Sequence, residues 1–259
     1  MVGVTPGPGM LTAGIDLSAD PRKTGVATLS WVDDCVTATA TATATVVTVE
    51  IGRHSDADLA DLIRSVDKAG IDCPLGWPTA FVDYLIAHRA GGRDLIVPPT
   101  RHPLTNRATD LHLRQAVRLQ PLSVSADRIG AAAMRCAAIL SGLTREGVEV
   151  DRTGRSGPVV EVYPAAALKL WDLPHQGYKG REAANARRRA ALVQLIEGAL
   201  PWLNLGEHAE ICAESDDALD SVLCAAIAGL ALRGQIAEIP SEHHEAAAVE
   251  GWIALPARH

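Results

Sequence analysis

Acidic residues inside or beside apolar segments are the strongest candidates for chemistry in this sequence. Five of them interrupt predicted strands or begin a predicted helix: Asp16, Asp72, Glu161, Asp217 and Asp220. A carboxylate is costly to bury unless a partner compensates its charge, and where several carboxylates converge the usual partner is a divalent cation. The pattern predicts that these five residues are catalytic and act together with Mg²⁺ or Mn²⁺.

Hydrolysis of a phosphodiester is the reaction that such a site would serve. Two divalent ions, roughly 3.5–4 Å apart, neutralise the charge on the attacking and leaving oxygens when carboxylates hold them. Rigid placement of the carboxylates requires strand ends and a helix face rather than loop tips. The positions of the five acidic residues are expected to meet that requirement.

Each carboxylate also has a purely structural interpretation. Asp16 would cap a turn at a strand end, Asp72 would initiate a proline turn, and Asp217 suits the first turn of a capped helix. Asp220 lies deeper in the same helix, before an apolar run. Glu161 is the hardest to explain structurally, because its neighbours form an apolar strand.

Three basic residues are candidate ligands for a substrate phosphate, namely Arg107, Lys179 and Arg188. Arginine binds phosphate with a bidentate fork, and such contacts position nucleic acid. Two alternatives stay open. Arg107 and Asp110 would form an internal salt bridge that fixes a loop, and Arg188 would belong to a solvated helix face together with Arg187.

Composition limits the class of protein. The chain has 259 residues, 47% of them hydrophobic, and a net charge of −7, which argues against broad non-specific affinity for nucleic acid. Its five cysteines are odd in number and contain no C-x-x-C pair, so we expect reduced thiols and a cytoplasmic location. The longest apolar run, Val222 to Leu232, is too short to span a bilayer, and no membrane partner is expected.

The periodicity predicts one α/β domain at residues 11–255, after a flexible leader at 1–10 and with an irregular, proline-containing insertion at about 91–126. Predicted strands are 11–17, 24–31, 37–49, a very short one within 71–78, 159–163 and 250–255. Predicted helices are 56–69, 79–88, 127–143, 164–171, 181–200 and 216–233. The Thr/Ala alternation in 37–49 breaks at Val46 and Val47, which predicts a β-bulge there. Gly70 is expected to end the first helix.

Several short motifs resemble known families. Residues 14–18 and 24–27 resemble the first hairpin of the ribonuclease H-like superfamily, especially its Holliday-junction resolvase branch, and Asp217-Ala218-Leu219-Asp220 resembles the D-x-x-D on the last helix of that branch. More closely, five ordered segments resemble the family known as domain of unknown function four-two-nine, whose members are described as predicted nucleases. These segments are 71–76, 107–110, 160–164, 178–179 with the later Arg188, and 250–253.

The resemblance implies a ribonuclease H-like α/β fold, in which a mixed central sheet has antiparallel first hairpins and parallel later strands, flanked by helices, with a loop-rich insertion. It also implies a metal-dependent nuclease that acts on nucleic acid or a nucleotide. The implied metal ligands are Asp16, Asp72, Asp217 and Asp220. Glu161 does not map clearly onto this pattern, and both a fifth ligand and an orienting group stay open.

Two other functions remain alternatives. The first is a nucleotide-binding phosphotransferase or ATPase of related fold, although the sequence has no G-x-x-x-x-G-K-[ST] motif. The second is a non-catalytic binding or regulatory protein that kept the fold. A homo-oligomer is a further option, because an edge strand as long as 37–49 would be able to pair between subunits.

Overall fold

A computed structural model describes residues 9–33, 42–93, 95 and 98–257 of the chain. Its seven strands all lie in one mixed sheet with the order β6-β3-β2-β1-β4-β5-β7. The strands are β1 Met10–Asp16, β2 Thr24–Asp33, β3 Ala42–Gly52, β4 Lys68–Ile71, β5 Val159–Val162, β6 Leu203–Asn204 and β7 Ile253–Ala254. The described helices are α1 Asp56–Ser65, α2 Thr79–Arg89, α3 His102–Thr105, α4 Ala108–Ala116, α5 Gly130–Arg145, α6 Pro164–Leu170, α7 Ala183–Ala199, α8 Ala209–Glu214, α9 Asp216–Leu232 and α10 His244–Glu250.

The first three strands form two antiparallel hairpins, as expected for a mixed sheet. In the described part of β3, Ala44 is buried while Thr43 and Thr45 are exposed, which matches the period-two pattern. The pairing with β2 passes from Thr48 to Val46, so Val47 is the extra residue of the predicted bulge. The start of the predicted strand at 37–41 and the leader at 1–8 lie outside the described residues.

The parallel half of the sheet requires a correction to the predicted first helix. Strand β4 is parallel to both β1 and β5, and β5 is parallel to β7. The helix predicted for 56–69 ends at Ser65, and Gly70 lies inside β4 instead of ending a helix. The apolar spacing continues past the real end of the helix, so periodicity alone did not show the change to a strand.

The insertion predicted as irregular at 91–126 contains the two helices α3 and α4. At the start of helix α4, the backbone N–H and the guanidinium of Arg107 both donate hydrogen bonds to the carboxylate of Asp110. Because an arginine is not a usual N-cap residue, the sequence around it did not signal a helix start. The closing strand predicted for 250–255 is reduced to the two residues of β7.

Helices cover both faces of the sheet, and each face has its own apolar core. On one face, buried residues of α6, α7, α8 and α9 pack against alternate residues of the strands, including Ala27, Leu29 and Val162. On the other face, α1 and α5 pack against the intervening residues, including Ile15 and Ile71. Successive strand residues point to opposite faces, so neighbours in sequence belong to different cores.

Helix α9 lies directly on the sheet because three strand positions are glycine. A Cβ atom added at Gly14, Gly25 or Gly70 would overlap backbone atoms of α9 at Ser221, Asp217 and Cys224, respectively. The side chain of Thr12 also donates a hydrogen bond of 2.9 Å to the carbonyl oxygen of Ala225. The main chain of α9 is therefore held against β1, β2 and β4.

Two further predictions concern pairing between subunits and the membrane. Strand β3 is not a free edge along its whole length, because β6 pairs with it at Ala44 and Thr45; this corrects the edge-strand premise of the oligomer prediction. Within the described residues, none of the helices combines the length and apolar character needed to cross a membrane. The four described cysteines are free and buried.

Candidate active site

The first two carboxylates lie side by side at the carboxyl ends of β1 and β4. Asp16 is the last residue of β1, and Asp72 follows β4 directly. The backbone N–H of Asp72 donates to the carbonyl oxygen of Ile15 across the parallel pair, at 2.9 Å. Because side chains alternate along a strand, Asp16 shares a face with Gly14, and Asp72 shares one with Gly70. Both carboxylates therefore point to the face that α9 covers.

The second pair comes from the first turns of α9. Ser215 caps this helix, with its hydroxyl accepting a hydrogen bond from the Ala218 N–H at 3.4 Å. The backbone of Asp217 packs on Gly25, which lies opposite Asp16 in the β1–β2 hairpin. Asp220, one turn further on, is completely buried. The glycine contacts thus place Asp217 and Asp220 above the ends of the two strands.

The electrostatics show that the four carboxylates converge. Burial first, and then the charges of Asp72 and Asp220, raise the pKa of Asp16 well above its usual range, although Lys179 opposes the shift. Burial is also the main cause that raises the pKa of Asp72 to about 7. Asp16 and Asp72 therefore bind protons more readily than exposed carboxyl groups do.

Asp217 completes this set through a hydrogen bond to Asp16. Burial raises the pKa of Asp217, with further contributions from Asp216 and Asp220, while the hydrogen bond to Asp16 acts in the opposite direction. A hydrogen bond between two carboxyl groups requires one of them to carry a proton. The carboxyl groups of Asp16 and Asp217 therefore lie close enough to affect each other's pKa.

Lys179 places a cation among these carboxylates. Its Nζ lies 2.5 Å from Oδ2 of Asp220 and 3.8 Å from Oδ2 of Asp72. Burial lowers its pKa, but Asp220 and Asp72 outweigh burial, so the pKa rises well above its usual range. The hydroxyl of Tyr178 donates to the other oxygen of Asp220 at 2.8 Å. Asp220 Oδ2 forms no hydrogen bond of good geometry, so its contact with Lys179 is a close ion pair only.

The loop that carries Lys179 is held by Arg189, which the sequence did not single out. Arg189 is buried in α7 and donates to the carbonyl oxygens of Tyr178 at 2.7 Å and Glu214 at 2.6 Å. A signal was present, because Arg189 shares helical spacing with the buried Leu192 and Val193. By contrast, Arg188 is exposed and its guanidinium contacts the side-chain oxygen of Asn185 at 3.4 Å.

Glu161 lies on the opposite face of the sheet from the four aspartates. It pairs in register with Ile71, whose side chain belongs to the core beneath α1 and α5. Both of its oxygens accept hydrogen bonds from Arg107, at 2.6 and 2.7 Å, and one of them also accepts from the Leu75 N–H at 3.0 Å. These contacts match the orienting role for Glu161 and fix the loop that follows Asp72.

Arg107 is fully buried, and all its side-chain donors are engaged. Its guanidinium donates to Glu161, to both oxygens of Asp110 and to the carbonyl oxygen of Glu250. Burial lowers the pKa of Arg107, but the charges of Glu161 and Asp110 raise it by more than burial lowers it, so Arg107 stays charged. Since a guanidinium has five N–H donors, a phosphate would have to displace one of these partners. The contacts match the internal salt bridge rather than a phosphate ligand.

Glu250 is a second residue that the sequence did not indicate. Its carboxylate accepts from the backbone N–H groups of Thr79 at 2.8 Å and Ala108 at 2.7 Å, and so it joins the starts of α2 and α4. No local signal marked it, because it lies in an acidic and alanine-rich segment.

A cavity of about 420 Å³ opens beside the aspartates. Asp72 and Lys179 belong both to its lining and to the carboxylate cluster, and Tyr163 at the end of β5 lines it as well. The carboxyl ends of β4 and β5 meet here, as strand ends do at ligand sites of open α/β sheets. Asp72 is therefore accessible from a concave site, and it is the one of the four aspartates that lines the cavity.

The donor atoms of the four aspartates suit a hard cation such as Mg²⁺ or Mn²⁺, which prefers carboxylate oxygens. The raised pKa values of Asp16 and Asp72 indicate that the negative charge of these two carboxylates is incompletely compensated. As the side chains stand in the described part of the chain, no group of three acidic, histidine or cysteine residues forms a ready metal site. The ammonium of Lys179 lies where such an ion would be needed.

Comparison with known proteins gives one finding about relationship. The chain matches the family model described as "Protein of unknown function (DUF429)" over residues 14–245. Searches of curated proteins and of solved structures gave no match. The matched region includes all four aspartates, Glu161, Arg107 and Lys179, and it covers most of the chain. The chain belongs to the family described as protein of unknown function (DUF429).

Proposed function

We propose that this protein is a metal-dependent nuclease, a phosphodiester hydrolase of ribonuclease H-like fold that acts on nucleic acid or a nucleotide. The observation that carries the proposal is the convergence of Asp16, Asp72, Asp217 and Asp220 at the carboxyl ends of β1 and β4, with raised pKa values for three of them. Strongly perturbed carboxylates in a cleft are typical of functional sites.

The sheet supports the fold assignment. Two antiparallel hairpins precede the parallel strands β4, β5 and β7, and helices pack on both faces. This is the arrangement that the resemblance to the ribonuclease H-like superfamily implies. The cytoplasmic location remains a prediction, and the free cysteines agree with it.

In the proposed reaction the four aspartates would hold Mg²⁺ or Mn²⁺, which supplies charge neutralisation at the attacking and leaving oxygens. The Lys179 side chain would move from Asp220 to a phosphate oxygen, because the charge of Asp220 would then be compensated by the bound cation. Arg189 keeps the Lys179 loop in place through its contacts with backbone carbonyls. Glu161 and Arg107 orient the loop after Asp72 from the other side of the sheet.

Calorimetric titration of Mn²⁺ tests the proposal without knowledge of the substrate. We expect saturable binding to the wild-type protein and loss of binding in Asp16→Asn and in Asp217→Asn, with circular dichroism showing that both variants remain folded. Asp83→Asn, on the exposed surface of α2, is the matched control and should bind as wild type. Undiminished binding in both site variants would refute the metal site.

Cleavage is the second test. Nuclease activity found with any nucleic acid substrate should be lost in Asp16→Asn and retained in Asp83→Asn. Cleavage that persists in folded Asp16→Asn would reject the catalytic assignment.

A second candidate is a binding or regulatory protein without turnover. The observation that favours it is the position of Lys179, whose ammonium already compensates Asp220 and Asp72. A protein of this kind would bind no Mn²⁺ with or without nucleic acid, and it would keep its stability when EDTA is added. The titration described above separates the two candidates.

A further inference from the structure

The cavity beside the aspartates has features that narrow the class of substrate. We propose that it binds one nucleotide unit, so that the protein acts on the end of a strand or on a small nucleotide rather than on internal positions of a duplex. This inference rests on the proposed nuclease function, because it assigns the substrate of the same site.

The size of the cavity is the first argument. Its volume of about 420 Å³ lies near the lower end of small-molecule sites, which span roughly 300–1,000 Å³. Proteins that bind a continuous single strand instead use a groove that follows the backbone over several nucleotides. A cavity of this size has room for one small ligand at the carboxylates.

The shape of the lining is the second argument. The floor consists of buried residues from strand ends, including Cys73, Val162 and Ile253, whereas Leu122 and Gln176 from two loops form an exposed rim. A bound strand would meet the rim before its internal phosphates reached the aspartates, whereas a strand end would enter.

The charges of the lining are the third argument. Arg107, Arg128 and Lys179 are the cations of the cavity, and Asp72 and Glu161 are its carboxylates. The buried salt bridge to Arg107 neutralises Glu161, and Lys179 is paired with Asp220 and Asp72, so the exposed Arg128 is the cation of the lining that remains to attract an anion. A phosphate monoester or diester is the anion that the adjacent carboxylate site would process.

The apolar part of the cavity would hold the nucleoside. Tyr163, Leu122 and Ile129 line it next to these cations. Tyr163 is half-buried, and its pKa is raised by burial first and then by Asp72. Tyr163 and Asp72 thus line the same cavity. Aromatic rings provide stacking surfaces for bases of any sequence, so recognition here requires no particular base.

Hydrolysis of the phosphodiester consumes one water molecule. The water oxygen forms a new bond to phosphorus while the bond from phosphorus to the leaving sugar oxygen breaks. One water proton passes to that sugar oxygen through solvent. The products are a phosphate monoester and a free hydroxyl, and no oxidant or reductant takes part.

Calorimetry with adenosine 5′-monophosphate in EDTA tests the pocket independently of the metal. We expect saturable binding by wild type, binding weakened about tenfold or more in Tyr163→Leu, and a similar loss in Leu122→Trp, which fills the rim. Leu85→Trp, at an exposed position of α2, is the control and should not change the affinity. Equal affinity for inorganic phosphate and the nucleotide, or wild-type affinity in folded Leu122→Trp, would overturn the inference.

Linear and circular single-stranded DNA of equal sequence, incubated with Mn²⁺, provide the second test. We expect cleavage of the linear strand and resistance of the circle. Equal cleavage of both would overturn the single-nucleotide inference and leave the nuclease proposal standing. If the wild-type protein binds the nucleotide but no Mn²⁺, the nuclease proposal is contradicted and the single-nucleotide pocket is supported.

Discussion

Two groups of buried charges lie on opposite faces of the sheet, and they are built differently. In the first, Arg107 is fully buried with Glu161 and Asp110, and every donor of its guanidinium is bonded. In the second, four aspartates share the single ammonium of Lys179.

The difference separates structural carboxylates from candidate catalytic ones. Glu161 and Asp110 have a fixed cationic partner with bidentate geometry, so their charges stabilise the loops around Arg107. Burial raises the pKa of Glu161 as well as those of Asp16 and Asp72, so the difference lies in the contacts. Arg107 donates to both oxygens of Glu161, whereas Lys179 approaches Asp72 only to 3.8 Å. Burial of a carboxylate alone therefore does not identify a site, whereas burial with incomplete compensation does.

Removing the cation of the compensated group should have the largest effect. Arg107→Met leaves Glu161 and Asp110 buried without a partner, and we expect a loss of about 3–5 kcal/mol in the free energy of unfolding. Urea denaturation monitored by circular dichroism measures it. Arg114→Met, on the exposed side of α4, should change stability by less than about 0.5 kcal/mol. Similar effects of the two substitutions would mean that the buried group is not a structural centre.

The aspartate group should make the free energy of unfolding depend on pH, with an effect on the order of 2–4 kcal/mol. The pKa of Asp72 is about 7 in the folded protein and 3.8 as a model value, with burial as the main cause. The folded state binds this proton more tightly, so the stabilisation is complete below pH 4 and is lost as pH rises through 7. We therefore expect Asp72→Asn to gain stability relative to wild type between pH 4 and 8.

Unfolding curves in EDTA at several pH values measure this difference. Asp83→Asn should follow the wild-type pH dependence throughout. A difference between wild type and Asp72→Asn that does not vary with pH would show that Asp72 has an ordinary pKa. Added Mn²⁺ should stabilise wild type at pH 8, because it binds the charged form.

Removal of Lys179 should have the smallest effect on stability. Its side chain is 47% exposed, so solvent screens the ion pairs, and we expect Lys179→Met to lose about 1 kcal/mol or less. The same substitution should tighten Mn²⁺ binding, because the ammonium and the metal compete for Asp220. Calorimetry beside the exposed Lys23→Met control decides the point. Weaker Mn²⁺ binding in Lys179→Met would show that Lys179 supports the ion instead of competing with it.

Local patterns in the sequence predicted the elements whose residues alternate or repeat clearly. The alternation at Thr43, Ala44 and Thr45 gave β3, and its break gave the bulge at Val47. The very short strand predicted within 71–78 lies earlier, at Lys68–Ile71, because it follows α1 closely and Gly70 resembled a helix end. Glycine is required at position 70 because the backbone of Cys224 packs directly against it. Local sequence does not show this contact.

In the candidate site, too, the features with a local pattern were predictable and those that depend on distant contacts were not. Asp16, Asp72 and Asp217 were accessible to prediction because each marks the end of a strand or the start of a helix. The partners that give Glu161 and Arg107 their roles are 54 residues apart, so the sequence left both interpretations open. Only the fold shows that Glu161 faces away from the aspartates.

The glycine contacts beneath α9 also determine when the site can form during synthesis. The hydrogen bond from Thr12 to Ala225 joins residues 213 positions apart, and such long-range contacts form late in folding. A ribosome completes the first hairpin long before α9 emerges, so Asp16 and Asp72 remain without Asp217 and Asp220 in the nascent chain. The proposed nuclease would therefore be inactive until α9 had been synthesised and had packed on the sheet.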